Sequence, residues 1–178
     1  MPGIDETRQF VPLKIAVLTV SDTRELADDK SGNTLVERIR AAGHTLAERA
    51  IVKDDVKAIR QRVKAWIADK FIDVVITTGG TGFTGRDVTP EAVEPLFEKR
   101  MDGFSTLFTM ISAPTIGTSA IQTRATAGVA NATYVFCLPG SPGACKDAWN
   151  GILKWQLDSR HRPCNLVDIM PRLKETRG

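Results

Sequence analysis

The chain has 178 residues, 42% of them apolar and 25% charged, with 24 Lys+Arg against 21 Asp+Glu for a formal net charge of +3. Such a length builds one domain with a full core, and a balance this even, with basic residues scattered along the chain, argues against nucleic acid as a partner. No apolar run approaches the roughly 18 to 20 residues of a membrane span, and the segment 1–11 carries Asp5, Glu6 and Arg8 where a signal peptide needs apolar side chains, so a soluble cytoplasmic protein without a membrane partner is expected.

Ile15 to Val20 is a short β-rich run and predicts the first strand. A polar segment leads to Ser31-Gly32-Asn33-Thr34, where Ser31 serves as an N-cap, and to a helix with Leu35, Ile39 and Ala42 on one face that Gly43 terminates. Thr45 to Val52 predicts a second strand, stopped by Lys53-Asp54-Asp55. Val56, Ile59, Val63, Trp66 and Ile67 then recur at helical spacing as far as Lys70. Val74, Val75 and Ile76 form a third strand covered on both faces, which runs straight into the loop Thr78 to Asp87. Thr89-Pro90-Glu91 supplies an N-cap, a proline at the first helical position and an acid in the first turn.

The second half is less regular. Helical patterns cover Pro90 to Lys99 and Phe104 to Ser112, and Gly117 to Arg124 declares no type. Gly128 to Leu138 reads as two short strands around a turn and ends in a second small-residue loop, Pro139 to Gly143. A last helix from Ala144 buries Ala148, Trp149, Ile152 and Leu153, and a basic, proline-punctuated tail follows from His161. Repeated strand-helix alternation argues an α/β fold with a largely parallel sheet and right-handed crossovers. The expected organisation is an N-terminal arm over 1–13, one domain over 14–158 and a C-terminal arm over 159–178.

In open parallel sheets ligands bind beyond the carboxyl ends of the strands. The loops gathered there carry Ser21, Asp22, Ser31 and Gly32, then Asp54 and Asp55, then Thr78 to Asp87, then Pro139 to Gly143. They offer hydroxyls, small residues and carboxylates, with no cysteine or histidine among them, which excludes thiol and imidazole catalysis. Cys137, Cys145 and Cys164 are odd in number, lack C-x-x-C spacing and have only His44 and His161 as imidazole partners, so neither a disulfide framework nor a zinc site is supported.

Gly79, Gly80 and Gly82 let backbone N–H groups approach an anion, but the loop has neither the lysine of a P-loop nor the Gly-x-Gly-x-x-Gly spacing of a dinucleotide fold. Amides beside carboxylates suit phosphoryl or nucleotidyl transfer, in which an acid holds Mg²⁺ against phosphate oxygens. Asp87 is the magnesium candidate, the other reading being an acid that caps or charges the next helix. For Asp54 the spacing favours a cap, with Asp55, of the helix of Val56 and Ile59, and Pro139-Gly140-Ser141-Pro142 is most economically a tight turn into a helix whose N-terminus would still attract an anion.

Thr19-Val20-Ser21-Asp22, Ser31-Gly32, Val52-Lys53-Asp54, Thr77 to Gly82, Arg86-Asp87-Val88-Thr89-Pro90 and Leu138 to Pro142 together resemble the molybdopterin-binding (MoaB/MogA) family over about Lys14 to Cys164. The stretches 116–119, 128–131 and 162–165 look like its MoaB branch. The resemblance implies a three-layer α/β/α sandwich around a mostly parallel sheet, in a single domain, and work in molybdenum cofactor biosynthesis. It implies a nucleotidyltransferase that adenylylates molybdopterin with Mg-ATP and releases pyrophosphate. The alternative is a non-catalytic molybdopterin carrier of the same pathway.

Carried over to this chain, the resemblance makes Asp54 and Asp87 the catalytic acids and the holders of Mg²⁺. Gly79, Gly80, Thr81 and Gly82 would cradle phosphate, while Ser21, Asp22, Ser31, Gly32, Pro139, Gly140, Ser141 and Pro142 would line the pterin and nucleotide pockets. It also implies a homotrimer or trimer-based hexamer, with residues 159 to 173 as an oligomer contact, and other molybdenum cofactor pathway proteins as partners.

Overall fold

In the structure, a computed structural model, residues 2–175 are described. The elements follow the chain as β1 (Gly3–Ile4), β2 (Lys14–Val20), α1 (Lys30–Ala41), β3 (Thr45–Val52), α2 (Val56–Ala68), β4 (Val74–Thr78), α3 (Thr89–Val93) and β5 (Lys99–Arg100). There follow α4 (Asp102–Ile116), β6 (Thr126–Ala130), β7 (Thr133–Leu138), α5 (Pro142–Ala148), α6 (Lys154–Gln156), β8 (His161–Arg162) and α7 (Leu166–Ile169). A π-helical stretch, Trp149–Leu153, joins α5 to α6.

Six strands form the main sheet in the order β3-β2-β4-β7-β6-β5, with β3, β2, β4 and β7 parallel, β6 antiparallel to β7, and edge strand β5 antiparallel to β6. The central strands are apolar on both faces because both are covered. Ile15, Val17, Val74 and Ile76 point to a core shared with Leu35 and Ile39 of α1, Phe104 and Phe108 of α4, and Ala148 and Leu153. Ala16, Leu18 and Val75 point the other way, onto Ile59, Val63 and Trp66 of α2 and Ala92 and Val93 of α3. This is the expected three-layer α/β/α sandwich in a single domain, with helices on both faces of a mixed, mostly parallel sheet.

Several local expectations are met. Gly43 adopts φ +85° behind α1, and His44 N–H closes back onto Ile39 O at 3.1 Å. Asp55 caps α2, its side chain accepting from Ala58 N–H at 2.8 Å. Asn131 and Ala132, both with positive φ, make the tight turn between β6 and β7.

Others are corrected. The N-cap of α1 is Asp29, whose Oδ1 accepts from Gly32 N–H at 2.9 Å; Ser31 lies inside the first turn and is fully buried. The helix expected over Pro90 to Lys99 is short. Pro95 follows α3 in a 3-10 turn, Glu94–Leu96, and the chain then turns into edge strand β5. The edge pairing needs Gly128, since a Cβ there would meet the Phe97 ring at 2.5 Å and Lys99 O at 2.7 Å. Gly117–Gln122 is a 3-10 helix.

The C-terminal arm docks on its own domain. β8 pairs with β1, Tyr134 Oη donates to Leu166 O at 2.8 Å, and Val167, Leu166 and Met170 join the core. Arg160 pairs with Asp158 and Glu6, and Arg162 with Asp5, so the basic run is engaged in holding the two arms together. Residues 176–178 lie outside the described residues. Among the described residues no helix is long and apolar enough to cross a membrane.

Candidate functional site

Because β2, β3, β4 and β7 are parallel, their carboxyl ends Val20, Val52, Thr78 and Leu138 lie along one edge of the sheet. The loops leaving them enclose a cleft of about 370 Å³. Its walls are Ser21, Thr23 and Arg24 from the first loop, Asp54 from the second, and Gly79 to Gly82 with Asp87 from the third. Pro139 and Gly140 come from the last loop, and Gln122 and Thr123 from the turn before β6.

The glycine loop is held on every side. Gly79 has φ +107°, and a Cβ there would fall 2.2 Å from the Val20 carbonyl oxygen, so only glycine lets the third loop pass so close to the first. Gly79 N–H donates to Leu138 O at 3.0 Å and Thr78 Oγ1 to Pro139 O at 2.9 Å, tying the third loop to the last. Thr89, expected as the N-cap of α3, donates its hydroxyl to Gly79 O at 2.8 Å instead, and the capping position falls to Val88. Arg124 donates from Nε to Gly82 O and from Nη2 to Asp87 O, both at 2.8 Å, and pairs with Glu91. Arg24 bridges Ser31 Oγ at 2.9 Å and Gly140 O at 3.0 Å, joining the first loop to the last.

Four aspartates meet this framework in different states. Asp29, fully buried, accepts from Thr19 Oγ1 at 2.6 Å, Gly32 N–H at 2.9 Å and Arg49 Nη2 at 2.9 Å. Burial would raise its carboxyl, but these three donors carry it below the ordinary range. Asp87 Oδ2 accepts from Thr84 N–H at 2.9 Å and Thr84 Oγ1 at 2.6 Å, and the hydroxyl above all keeps the acid ionised. Asp87 therefore closes its own loop and does not cap α3.

Asp54 is the opposite case. Its carboxylate accepts no hydrogen bond among the described residues, and its Oδ1 lies where a Cβ on Gly80 would come within 3.2 Å. Burial, then the neighbouring charge of Asp22, pushes its pKa up, with Arg86 opposing and Asp87 adding to the rise. The capping role falls to Asp55, which leaves Asp54 turned to the cleft. Asp22 accepts from Asp54 N–H at 3.2 Å and pairs with Arg86, which lowers its pKa.

The structure thus brings Ser21, Asp54, Gly79, Gly80, Thr81, Gly82, Asp87, Pro139 and Gly140 to one cleft. Asp22 stands beside it in an ion pair. Ser31 lies behind Arg24, and Gly32 packs so closely on Asp29 that a Cβ would meet Oδ2 at 2.0 Å. Ser141 caps α5 by accepting from Ala144 N–H at 3.1 Å, with Pro142 opening that helix. Arg24, Asp29, Arg124, Gln122 and Thr123 escaped the sequence reading: Arg24 and Arg124 act through partners distant in the chain, Asp29 adds to its local cap the distant Thr19 and Arg49, and Gln122 and Thr123 reach the cleft from a segment with no motif.

Cys137 and Cys145 are buried, and burial pushes their thiols up to about 12 and about 11. Both are inert neutral side chains at physiological pH. Among the described residues no group of three or more His, Cys, Asp and Glu converges to hold a metal ion. The donor set still suits magnesium, which is bound through one or two carboxylates and completed by water and substrate phosphates. The unbonded Asp54 carboxylate and the ionised Asp87, both in the cleft lining, are the donors that would supply that partial shell.

An α/β/α sandwich with a glycine loop and two acids lining a cleft at the carboxyl edge of its sheet is an arrangement that suits a phosphate-bearing ligand. Residues 16–159 match the family described as a probable molybdopterin binding domain. Molybdenum cofactor biosynthesis protein B of Escherichia coli (strain K12) is 49% identical over 167 residues, covering 94% of this chain and 96% of that protein. A crystal structure of a molybdenum cofactor biosynthesis protein B aligns with TM-score 0.84 at 40% identity, covering 93% of this chain and 98% of that one. The tungsten cofactor synthesizing protein MoaB from Pyrococcus furiosus aligns with TM-score 0.71 at 33% identity, covering 92% and 98%. The chain belongs to the molybdopterin-binding family, on the side of its MoaB members.

Proposed function

We propose that this protein works in molybdenum cofactor biosynthesis, binding molybdopterin in the strand-edge cleft and adenylylating it with Mg-ATP. The observation that carries the reading is the pairing of Asp54 and Asp87 against one glycine loop in one cleft. In the reaction an oxygen of the pterin's terminal phosphate attacks the α-phosphorus of ATP, the bond from that phosphorus to the β-phosphate bridging oxygen breaks, and pyrophosphate leaves. Both nucleophile and leaving group belong to the substrates, so the reaction requires no thiol or imidazole from the chain.

The chain's part is to bind and to align. The loop Gly79 to Gly82, fixed by Thr89 and Arg124, commits the Gly79 N–H to Leu138 O and the Gly82 N–H to Asp87, and leaves those of Gly80 and Thr81, without a protein acceptor among the described residues, for negative charge that builds on the substrate. Asp54 and Asp87 would hold Mg²⁺, which when bound neutralises phosphate charge. Ser21, Thr123 and the Pro139-Gly140 turn offer hydroxyl and backbone groups for the pterin and nucleotide.

Exposed apolar side chains on α4 and the turn behind it, Leu107, Met110, Ile116 and Ile121, support self-association, read as a homotrimer or trimer-based hexamer in the cytoplasm. The test is anaerobic turnover of purified protein with molybdopterin, ATP and Mg²⁺, read by mass detection of adenylylated pterin and pyrophosphate. Product establishes the transferase. Pterin binding without product would establish the carrier in its place.

A further inference from the structure

Arg24, Arg86 and Arg124 touch the loops of the cleft, and their engagement differs. Arg124 is tied to two carbonyl oxygens and Glu91, and Arg24 to Ser31 and Gly140, so both are fixtures of the scaffold. Arg86 has one side-chain partner, Asp22, and its side chain is 69% exposed. Its backbone is nevertheless anchored, because Asp87 clamps Thr84, and Thr84 Oγ1 accepts from Arg86 N–H at 3.3 Å. A fixed base thus carries a long side chain at the edge of the site.

The surrounding charges make its pairing conditional. The charges of Asp22 and Asp87 both bear on Asp54, and Arg86 is the cation that offsets them there. An exposed ion pair contributes at most about 1 kcal/mol, so little holds the guanidinium on Asp22. A divalent cation at Asp54 and Asp87 would replace the positive charge Arg86 supplies, while a polyphosphate brings several anionic oxygens matched to a guanidinium fork.

Resting on the nucleotide reading above, we infer that Arg86 is a polyphosphate-binding residue that Asp22 holds at the rim until substrate arrives. On binding, the guanidinium leaves Asp22 for the phosphate oxygens, and Asp22 keeps its bond from Asp54 N–H. Asp22 then acts as a competitor for Arg86, so the two residues have opposite effects on affinity.

Calorimetric titration of the full chain with Mg²⁺ plus a non-hydrolysable α,β-methylene ATP, and separately with Mg²⁺ plus pyrophosphate, tests this. Arg86→Ala should weaken both ligands about tenfold or more, the loss of one charge-assisted contact. Arg86→Lys should recover part of that affinity, and Asp22→Asn should bind as tightly as the wild type or a few-fold tighter. Circular dichroism of each variant should match the wild type. Equal weakening by Arg86→Ala and Asp22→Asn would overturn the inference by showing a clamp that merely positions Asp54. Unchanged affinity in Arg86→Ala would overturn it as well, leaving the nucleotide reading intact. A wild-type protein that binds neither ligand would sink both.

Discussion

Asp29, fully buried behind the first loop, and Asp54, half-buried in the wall of the cleft, are moved in opposite directions by their surroundings. Burial raises each, but Thr19, Gly32 and Arg49 outweigh it at Asp29, while at Asp54 Asp22 adds to it. A carboxylate whose lone pairs are filled by the protein holds the fold. One left unfilled and destabilised in its charged form is the arrangement expected of a binding acid. The same division runs through the arginines, with Arg24 and Arg124 built in and Arg86 weakly tethered.

The sharpest way to break the comparison on the stability side is Asp29→Asn. It leaves the half-buried Arg49 charge without its carboxylate and should cost about 3 kcal/mol in urea unfolding, while leaving the rim acids in place. Arg124→Ala comes next, with a loss of about 1 to 2 kcal/mol from the contacts to Gly82, Asp87 and Glu91, and with a looser glycine loop that should raise KM for ATP. Asp22→Asn and Arg86→Ala should each change stability by less than about 1 kcal/mol, as expected of a surface pair.

The smallest effects sharpen the contrast through pH. Asp29 has a lowered folded pKa, so its stabilisation is present above the ordinary carboxylate value and lost as pH falls through the folded one. Asp54 has a raised folded pKa, so its contribution is full below the ordinary value and lost as pH rises through the folded one. Melting temperatures followed from acid to neutral pH should therefore show a shallower acid loss in Asp29→Asn. In Asp54→Asn they should show a slight gain confined to the less acidic end.

Much of this architecture was legible in the sequence because it is written locally. The apolar runs Ile15 to Val20 and Val74 to Ile76, the Gly43 stop and the hairpin before Leu138 each carry their own signal. So did the gathering of Asp54, Asp87 and the glycine loop, once a parallel sheet was inferred. The site's supports were not legible. Asp29 takes the cap expected of Ser31 because it also reaches Thr19 on β2 and Arg49 on β3, and Arg124 finds Gly82 and Asp87 across a long stretch of chain. The helix expected through Lys99 fails for a similar reason, since pairing with Gly128 and Val129 outweighs the helical pattern of the segment after Pro95.

The most direct test of the account is Asp87→Ala assayed twice, for adenylylated pterin formed from molybdopterin and Mg-ATP and for unfolding free energy. The account predicts transfer reduced by a factor on the order of a hundred to a thousand or more, with stability within about 1 kcal/mol of the wild type, because the acid's protein contacts lie within an exposed loop. Wild-type turnover in that variant would contradict it, and would return Asp87 to the role of a residue that only closes its loop.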